Sequence, residues 1–418
     1  MSALFLTTSL AAMLILRQRI VVMLGFAAAF CYLAWGDGKL SYVVLDVWAA
    51  ADQEVLLSIP LFILAGNIMS RGSIARRLIK IMQEATNPIP GGLAIATILS
   101  CAFFAAISGS STVTLIAVGS VMYPALLDAG YSKKFALGAL CAAGTLGIIV
   151  PPSIPLILYG VMTETSIADL FKAGVGPAIL LTGLMVIYAV IINRNQPRAA
   201  FNLSSFLGAL KEGIFALFMP VLILGGIYAG WFTATESAAV AVTYAILVEF
   251  LIHKDMSLSD LKGTTLETAT MMGSLFPLLM MALSINTFMS YEQLPHDLVH
   301  WMSGLISDPV TFLLVTLVLL LIVGTFMDIG SAILIIAPLL LPLALAQNID
   351  PVHFGIIMIT NLELGYLTPP LGLNLIVAMT AFNEDFWLIA KSVIPFLLIM
   401  LLGLLIITFV PALSLMFV

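Results

Sequence analysis

The chain has 418 residues, of which 61% are hydrophobic and only 9% are charged, and its formal net charge is −6. Soluble domains carry roughly a quarter charged residues, so this composition cannot cover the surface of a water-soluble fold. It also contains no basic run typical of nucleic-acid binding. Apolar runs of about 20 residues, each long enough to span a bilayer, recur along the chain. We therefore predict an all-α, polytopic membrane protein, because helices satisfy their own backbone polar groups in lipid.

In chain order, the first apolar segments lead to a basic stretch, SRGSIARRLIKIMQEA, which begins at position 70. Basic residues cluster again at 194–211 and at 253–262. The positive-inside rule places these three regions in the cytoplasm. The apolar segments 213–231 and 234–252 then cross the bilayer outward and back between two cytoplasmic loops. The basic stretch itself has the pattern of an amphipathic helix at the membrane surface.

Four apolar segments are too short, or too interrupted by glycine and proline, to cross a bilayer alone. They cover positions 110–128, 151–163, 329–347 and 371–382. The first pair and the second pair belong to an internal repeat, because a shift of 218 positions superposes four prolines without a gap. The matched prolines are Pro124 with Pro342, Pro151 with Pro369, Pro152 with Pro370, and Pro177 with Pro395.

The repeat predicts a first half over 1–200 and a second half over 201–418. Each half would contain scaffold helices followed by a hairpin and a broken helix, at about 106–163 and about 324–382. Paired broken segments of this kind are typical of a transporter binding site. Repeats of this type are often inverted in topology, which the sequence leaves open. In the same register Ser110 falls on Asp328.

Each half of the repeat contains two polar stretches at the points where its apolar segments are interrupted. The first block reads SGSSTVT and then AAGTLGIIVPPSIP, and the second reads GTFMDIGSA and then NLELGYLTPPLGLN. Glycine and Pro-Pro interrupt helices and free backbone carbonyls and amides. Freed carbonyls, hydroxyls and a carboxylate suit a hard cation such as Na⁺, whereas freed amides at the start of a half-helix suit an anionic group.

The hydroxyls from Ser108 to Thr112, taken alone, fit close helix packing and a binding site equally well. Asp328 favours a site, because a carboxylate in an apolar stretch is costly and therefore functional by default. Asn374 follows the second Pro-Pro pair and could cap a half-helix or coordinate an ion; we favour the site. No arginine follows Arg198, so helix N-termini, hydroxyls, bound Na⁺ or the first half must attract an acid.

Other acidic residues have simpler explanations. Glu236 fits a helix start capped by a neighbouring threonine, and we interpret it as structural. Four glutamates lie near segment ends or loops and are predicted to be interfacial: Glu54, Glu164, Glu249 and Glu363. The sequence contains no Walker A, nucleophile-elbow or HExxH pattern, so it does not predict an enzyme.

The motifs SGSSTVT, GTLGIIVPPS, GGIYAGWFTATES, MDIGSAILIIAPLLLP and GYLTPPLGLNL occur in this order. Together they resemble the large membrane subunit of tripartite ATP-independent periplasmic (TRAP) transporters, over essentially the whole chain. One departure is Ala234 in TATES, where the family pattern has proline. The resemblance implies an elevator-type transporter, with a scaffold part and a transport part whose hairpins would be 108–128 and 325–347.

The resemblance also implies the ligand residues. The first sodium site would use Ser108, Gly109, Ser110, Gly144, Thr145 and Ser153. The second would use Gly324, Thr325, Asp328, Gly365, Thr368 and Asn374. The substrate would lie between the tips, in contact with Ser108, Ser110, Ser111, Thr112, Ser153, Thr368 and Asn374.

The implied partners are a small four-helix membrane subunit, expected as a separate chain, and a soluble periplasmic substrate-binding protein. The expected cargo is an organic acid, such as a C4-dicarboxylate or sialic acid, imported with Na⁺ and without ATP across the bacterial inner membrane. The alternative is a stand-alone ion-coupled anion transporter or antiporter with a related two-repeat fold. A membrane-embedded enzyme would need a clustered nucleophile, base or metal set, which the sequence does not offer.

Overall fold

The computed structural model describes residues 2–16, 18–36, 38–198, 200–303 and 308–418. These residues form helices joined by short connections, with no strand among them, and ten stretches in this part of the chain are long and apolar enough to span a bilayer. The prediction of an all-α polytopic membrane protein is confirmed. The helices are α1 Ser2–Ile15, α2 Ile20–Ala34, α3 Ser41–Ala51, α4 Ser58–Arg71, α5 Ile74–Thr86, α6 Gly92–Ser108, α7 Ser111–Asp128, α8 Lys133–Ile149, α9 Ile154–Thr163, α10 Ile167–Ile192, α11 Leu203–Tyr228, α12 Ala234–Leu247, α13 Leu258–Tyr291, α14 Leu294–Ser303, α15 Pro309–Phe326, α16 Ile329–Ala346, α17 Pro351–Gly365, α18 Leu373–Phe382, α19 Phe386–Phe409 and α20 Ala412–Leu415.

Many of these helices begin at a polar side chain that the sequence places at the right position. A serine, asparagine or aspartate accepts a hydrogen bond from an N–H group of the first turn, which satisfies a donor that has no partner inside the helix. The residues that cap α8, α10, α11, α13, α15, α17 and α19 in this way are Ser132, Ser166, Asn202, Ser257, Asp308, Asp350 and Asp385.

Glu236 also takes part in capping the start of a helix. The Thr233 hydroxyl accepts from the Glu236 N–H, and the Glu236 carboxylate accepts from the Thr233 N–H, at 2.8 Å. This capping box satisfies both donors at the start of α12. The structural interpretation of Glu236 is therefore confirmed.

Two stretches of the chain contain the same series of elements. In α6–α10 and in α15–α19, a helical hairpin is followed by a broken helix and then by a long helix. The second hairpin arms, α7 and α16, have 18 residues each and begin at Ser111 and Ile329, which are 218 positions apart. The four segments predicted to be short or broken coincide within a few residues with α7, α9, α16 and α18. The helices α7 and α16 are nevertheless long and apolar enough to span a bilayer, so shortness does not set these two apart.

The first halves of the two broken helices form the centre of the molecule. Every residue of α8 from Phe135 to Ile149 is buried, and so is every residue of α17 from Val352 to Gly365. Helices α6, α7 and α19 pack on α8, and α15, α16 and α10 pack on α17. The C-terminal ends of α8 and α17 therefore lie inside the protein and not at its surface.

Ion pairs join the segments that were predicted to be cytoplasmic. Lys80 on α5 contacts Glu212 at 2.8 Å, and Arg77 contacts Asp255 at 3.2 Å. The far end of the first hairpin lies at the same face, since Gln83 on α5 donates to Met122 on α7.

The turn after α18 reaches this face too. The Tyr123 hydroxyl and the Lys133 ammonium both contact Glu384, at 2.8 and 2.7 Å. The hydrogen bond from Lys133 holds the pKa of Glu384 below its usual range. The end of the first hairpin and the end of the second broken helix are thus held together at one face of the protein.

Candidate functional site at the two hairpin tips

The first hairpin turns at Ser108–Ser111, which we call tip 1. Gly109 has a positive φ of 58°, a left-handed backbone conformation that glycine adopts without strain, and it ends α6. Ser110 is extended, and its side chain makes no capping hydrogen bond to α7. The first N–H groups of α7 are therefore not satisfied by a side-chain cap, which leaves them able to attract an anion.

The hydroxyls of tip 1 mostly pair with each other. Ser108 Oγ lies 2.7 Å from Thr114 Oγ1, and both side chains are buried. Ser110 Oγ lies 3.2 Å from Thr112 Oγ1, and these two residues are half-buried. Such a cluster presents several oxygen lone pairs at one point of the apolar interior, which is the composition of a hard-cation site.

The first broken helix is interrupted at Val150–Ser153, which we call break 1. The peptide bond between Pro151 and Pro152 is cis, and the Ser153 hydroxyl caps α9. The Ile154 N–H donates to the Gly109 carbonyl of tip 1, at 3.5 Å. A Cβ on Gly147 would lie only 2.8 Å from the backbone nitrogen of Ser111, so the glycine permits α8 to touch tip 1.

Two further predicted ligands lie on α8 one turn before Gly147. Gly144 packs against Leu115 of α7, since a Cβ at this position would be 3.0 Å from the leucine Cβ. Thr145 is fully buried, and its hydroxyl donates to the Ala142 carbonyl at 2.5 Å. The structure therefore brings tip 1 and break 1 together, with Gly144 packed on α7 nearby, whereas the Thr145 hydroxyl is directed to Ala142 and to Met400 of α19.

The second hairpin turns at Met327–Asp328, which we call tip 2. Asp328 is the N-cap of α16: one carboxylate oxygen accepts from the Ser331 N–H at 2.8 Å, and the other accepts from the Ser331 hydroxyl at 2.6 Å. The Ile329 N–H donates to the Tyr366 hydroxyl oxygen at 2.8 Å. Asp328 therefore organises the start of a half-helix as well as carrying a charge.

The second broken helix is interrupted at Tyr366–Gly372, and the Pro369–Pro370 bond within this stretch is cis. We call this stretch break 2, together with the last turn of α17 and the first turn of α18 that flank it. Gly365 meets Gly324 of α15 so closely that a Cβ on Gly365 would lie 2.5 Å from the Gly324 Cα. The hydroxyl of Thr325 donates to the Ile322 carbonyl, at 2.7 Å. The Thr368 hydroxyl donates to the Leu364 carbonyl, at 3.0 Å.

Asn374 connects the two halves of the chain. Its side-chain oxygen accepts a hydrogen bond from the Ser111 hydroxyl of tip 1, at 3.0 Å, and its backbone N–H donates to the Tyr366 carbonyl. Both side chains are buried. Asn374, which was grouped with tip 2, is thus in direct contact with tip 1, and the two predicted sets meet at this hydrogen bond.

Glu363 corrects the expectation that it is interfacial, whereas Glu249 lies beside Ser73 and His253 in the basic segments and is enclosed by them. Both are completely buried. Glu249 accepts from the N–H groups of Ser73 and Ile74 and thereby caps α5. Glu363 lies in the last turn of α17, beside Ser111, and neither of its carboxylate oxygens has a hydrogen-bond partner among the described residues.

The expectation for Glu363 was wrong because it equated the end of an apolar segment with the membrane surface. In a broken helix that end lies in the middle of the fold. The signal that could have found it is the repeat itself, since Glu363 falls two residues before the Gly365 that matches Gly147. Glu54 and Glu164, the other two glutamates predicted to be interfacial, are exposed.

Tip 2 opens onto a cavity of about 530 Å³. Asp328 and Ser331 line one side of it, and Ser274 and Pro277 of α13 line the other. Arg19, the residue before α2, also lines this cavity. The second tip therefore shares this cavity with an arginine from the first half of the chain.

Known proteins resemble this chain over almost its whole length. A family model described as "Tripartite ATP-independent periplasmic transporter, DctM component" matches residues 7–413. The C4-dicarboxylate TRAP transporter large permease protein DctM of Pseudomonas aeruginosa is 38% identical over 395 residues, which are 94% of this chain and 92% of that protein. The isethionate TRAP transporter permease protein DctMQ of Oleidesulfovibrio alaskensis is 39% identical over 409 residues, which are 97% of this chain but 64% of that protein.

A solved structure shares the fold. The Alcanivorax borkumensis YdaH transporter superposes with a TM-score of 0.67 over 90% of this chain and 89% of its own length. Because only 14% of the aligned residues are identical, this likeness concerns the fold alone.

Proposed function

The chain belongs to the DctM family of tripartite ATP-independent periplasmic (TRAP) transporters, and we propose that it imports an organic anion together with Na⁺. Its relatives are transporter permeases and not enzymes. The observation that carries the proposal is the meeting of tip 1 with break 2 at the Ser111–Asn374 hydrogen bond, deep in the fold. Two interrupted hairpins and two broken helices thereby gather oxygen ligands and helix N-termini in one place.

An organic acid is the proposed cargo, a carboxylate such as a C4-dicarboxylate or sialic acid. Relatives named for C4-dicarboxylates and for isethionate, also an anion, support this class. The cavity beside tip 2 offers the Arg19 guanidinium, which can bind a carboxylate through two parallel hydrogen bonds. The uncapped N-terminus of α7 offers backbone N–H groups for a second anionic group.

Sodium coupling is proposed from the chemistry of the donor set. Hydroxyl, carboxylate and backbone carbonyl oxygens are the ligands of hard cations. At tip 1 and break 1 these oxygens come from Ser108, Ser110 and Ser153, with Gly109, Gly144 and Thr145 alongside. At tip 2 and break 2 they come from Asp328, Thr325 and Thr368, and the same predicted set includes Gly324 and Gly365.

We propose an elevator mechanism in which the two hairpins and two broken helices move together against the other helices. The hairpins would enter from opposite faces. The far end of the first hairpin contacts Glu384, and Gln83 of α5 donates to Met122 there, whereas the second hairpin packs against α14. The small four-helix membrane subunit and the periplasmic substrate-binding protein would be separate partners, and the inner membrane would be the location.

The test is uptake into proteoliposomes that contain the chain and a co-purified small subunit, with the loaded binding protein outside. We expect uptake with an inward Na⁺ gradient and little uptake with an equal K⁺ gradient. Equal uptake in both gradients would reject sodium coupling. Uptake of free substrate without the binding protein would favour a stand-alone transporter.

A further inference from the structure

Glu363 is a buried acidic group that the ligands proposed above leave without a function. It is completely inaccessible, and both of its carboxylate oxygens lack a hydrogen-bond donor in the described structure. An ionised carboxylate in such surroundings is strongly unfavourable unless an opposite charge accompanies it. The fold keeps a carboxyl group here, so its counter-charge needs to be identified.

The protein's own cations do not supply this charge. The sequence has no arginine after Arg198 and no lysine between Lys262 and Lys391. None of the ion pairs among the described residues involves Glu363.

The polar neighbours of Glu363 cannot satisfy both of its carboxylate oxygens. Ser111 lies beside it, but the single hydrogen of that hydroxyl is donated to Asn374 Oδ1. The lone pairs of both oxygens remain free to bind a cation. Thr360, three residues before Glu363 and therefore on the same face of α17, is buried and its hydroxyl is likewise without a partner.

Neighbouring polar groups at tip 2 are already satisfied. Both oxygens of Asp328 accept from Ser331, and the Tyr366 hydroxyl accepts from the Ile329 N–H. The unpartnered atoms on the two sides of break 2 include both oxygens of Glu363 and the side-chain nitrogen of Asn374, which makes no hydrogen bond to them. The Glu363 carboxylate, the Ser111 hydroxyl oxygen and the Asn374 side-chain oxygen are ligands of the kind that a hard cation prefers.

We propose that Glu363, Ser111 and Asn374 form a Na⁺ site between tip 1 and break 2. The carboxylate supplies the one negative charge that a buried monovalent cation requires, and the ion in turn neutralises Glu363. This inference rests on the proposed sodium-coupled function and adds to it a ligand outside the predicted sets. Because its ligands come from both halves of the chain, an ion bound here would hold tip 1 against break 2.

The test measures ion binding without transport. The purified chain, with its small subunit, is placed in lipid nanodiscs, and its Tm is followed as NaCl replaces choline chloride at constant ionic strength. We expect Na⁺ to raise the Tm of the wild type. Glu363→Gln keeps the shape but removes the charge, so the Na⁺ concentration at half-maximal stabilisation should rise about tenfold or more. In choline alone this variant should be at least as stable as the wild type, because an unpaired buried charge is gone.

Glu164→Gln, an exposed glutamate at the end of α9, is the matched control and should respond to Na⁺ as the wild type does. If Glu363→Gln gives no folded protein, Ser111→Ala removes one oxygen ligand with a smaller change and should shift the Na⁺ midpoint in the same direction. A wild-type midpoint in both variants overturns the proposed site and makes Glu363 a neutral buried acid. A wild type that does not respond to Na⁺ overturns the proposed sodium coupling itself, so the two failures are distinguishable.

Discussion

At the scale of single residues, the two hairpin tips use different chemistry at matched positions. Asp328 caps α16 with both carboxylate oxygens, whereas Ser110 makes no side-chain cap on α7. The costly carboxylate in hydrocarbon therefore has a structural role as well as the site role that the sequence indicates. Separating these two roles requires a substitution that removes the charge and keeps the cap.

Asp328→Asn provides that separation. Asparagine caps helices about as well as aspartate, so the hairpin should persist, whereas Asp328→Ala should cost about 1 kcal/mol through loss of the cap. If the charge binds Na⁺, Asp328→Asn should raise the Na⁺ concentration for half-maximal uptake by about tenfold. Uptake into proteoliposomes over a series of Na⁺ concentrations measures this. Unchanged sodium activation in the Asn variant would remove Asp328 from the site.

At the scale of helices, glycine decides how closely the tips and breaks approach each other. Gly147 lets α8 touch tip 1, and Gly365 lets α17 touch α15 at Gly324. In both places a side chain would collide with backbone atoms, which cannot rotate away. The short contacts place the freed carbonyls of the broken helices beside the hairpin tips.

Gly365→Ala should therefore destabilise the protein by about 1–3 kcal/mol, the usual range for overpacking. The matched control is Gly183→Ala in α10, where a new Cβ would meet nothing within 4 Å. That change should be neutral or stabilise the helix by up to about 1 kcal/mol. Thermal unfolding of the purified variants in one detergent measures the difference. Equal Tm values for the two variants would contradict the close approach of α15 and α17.

Local sequence signals predict the helices well and their mutual contacts poorly. Proline, glycine and capping residues mark the ends of α7, α9, α16 and α18, because these signals act within one or two turns. The contact of Ser111 with Asn374 joins residues 263 positions apart, which no periodicity encodes. The approach of Arg19 to tip 2 depends on such contacts and could be found only in the folded chain, whereas the register of the repeat could have indicated the burial of Glu363.

At the scale of the whole molecule, the polar groups gather where the two halves meet. Tip 1 contacts break 1 within its own half and break 2 in the other half. Tip 2 contacts break 2 through Tyr366 and also borders α13 across the cavity that Arg19 lines. In an elevator movement the contacts of tip 1 with the two breaks would be kept, whereas the contacts of tip 2 with α13 would change. This difference makes the mechanism testable by cross-linking.

Two cysteine pairs can compare these contacts in a chain freed of Cys31, Cys101 and Cys141. A Cβ on Gly330 of α16 would lie 3.9 Å from the Leu275 side chain of α13, so Gly330→Cys with Leu275→Cys would join the proposed moving part to the scaffold. Tyr123 of α7 and Phe382 of α18 stack at 4.7 Å within the moving part, and Tyr123→Cys with Phe382→Cys is the control pair.

Cross-linking of the first pair by Hg²⁺ should lower uptake into proteoliposomes by at least about tenfold, because a fixed scaffold contact prevents rigid-body displacement. Dithiothreitol should restore it. Cross-linking of the control pair should leave uptake close to that of the uncross-linked protein, because α7 and α18 keep their contact throughout the movement. Undiminished uptake with the first pair fully cross-linked would show that tip 2 does not move past α13, and the elevator mechanism would then be rejected.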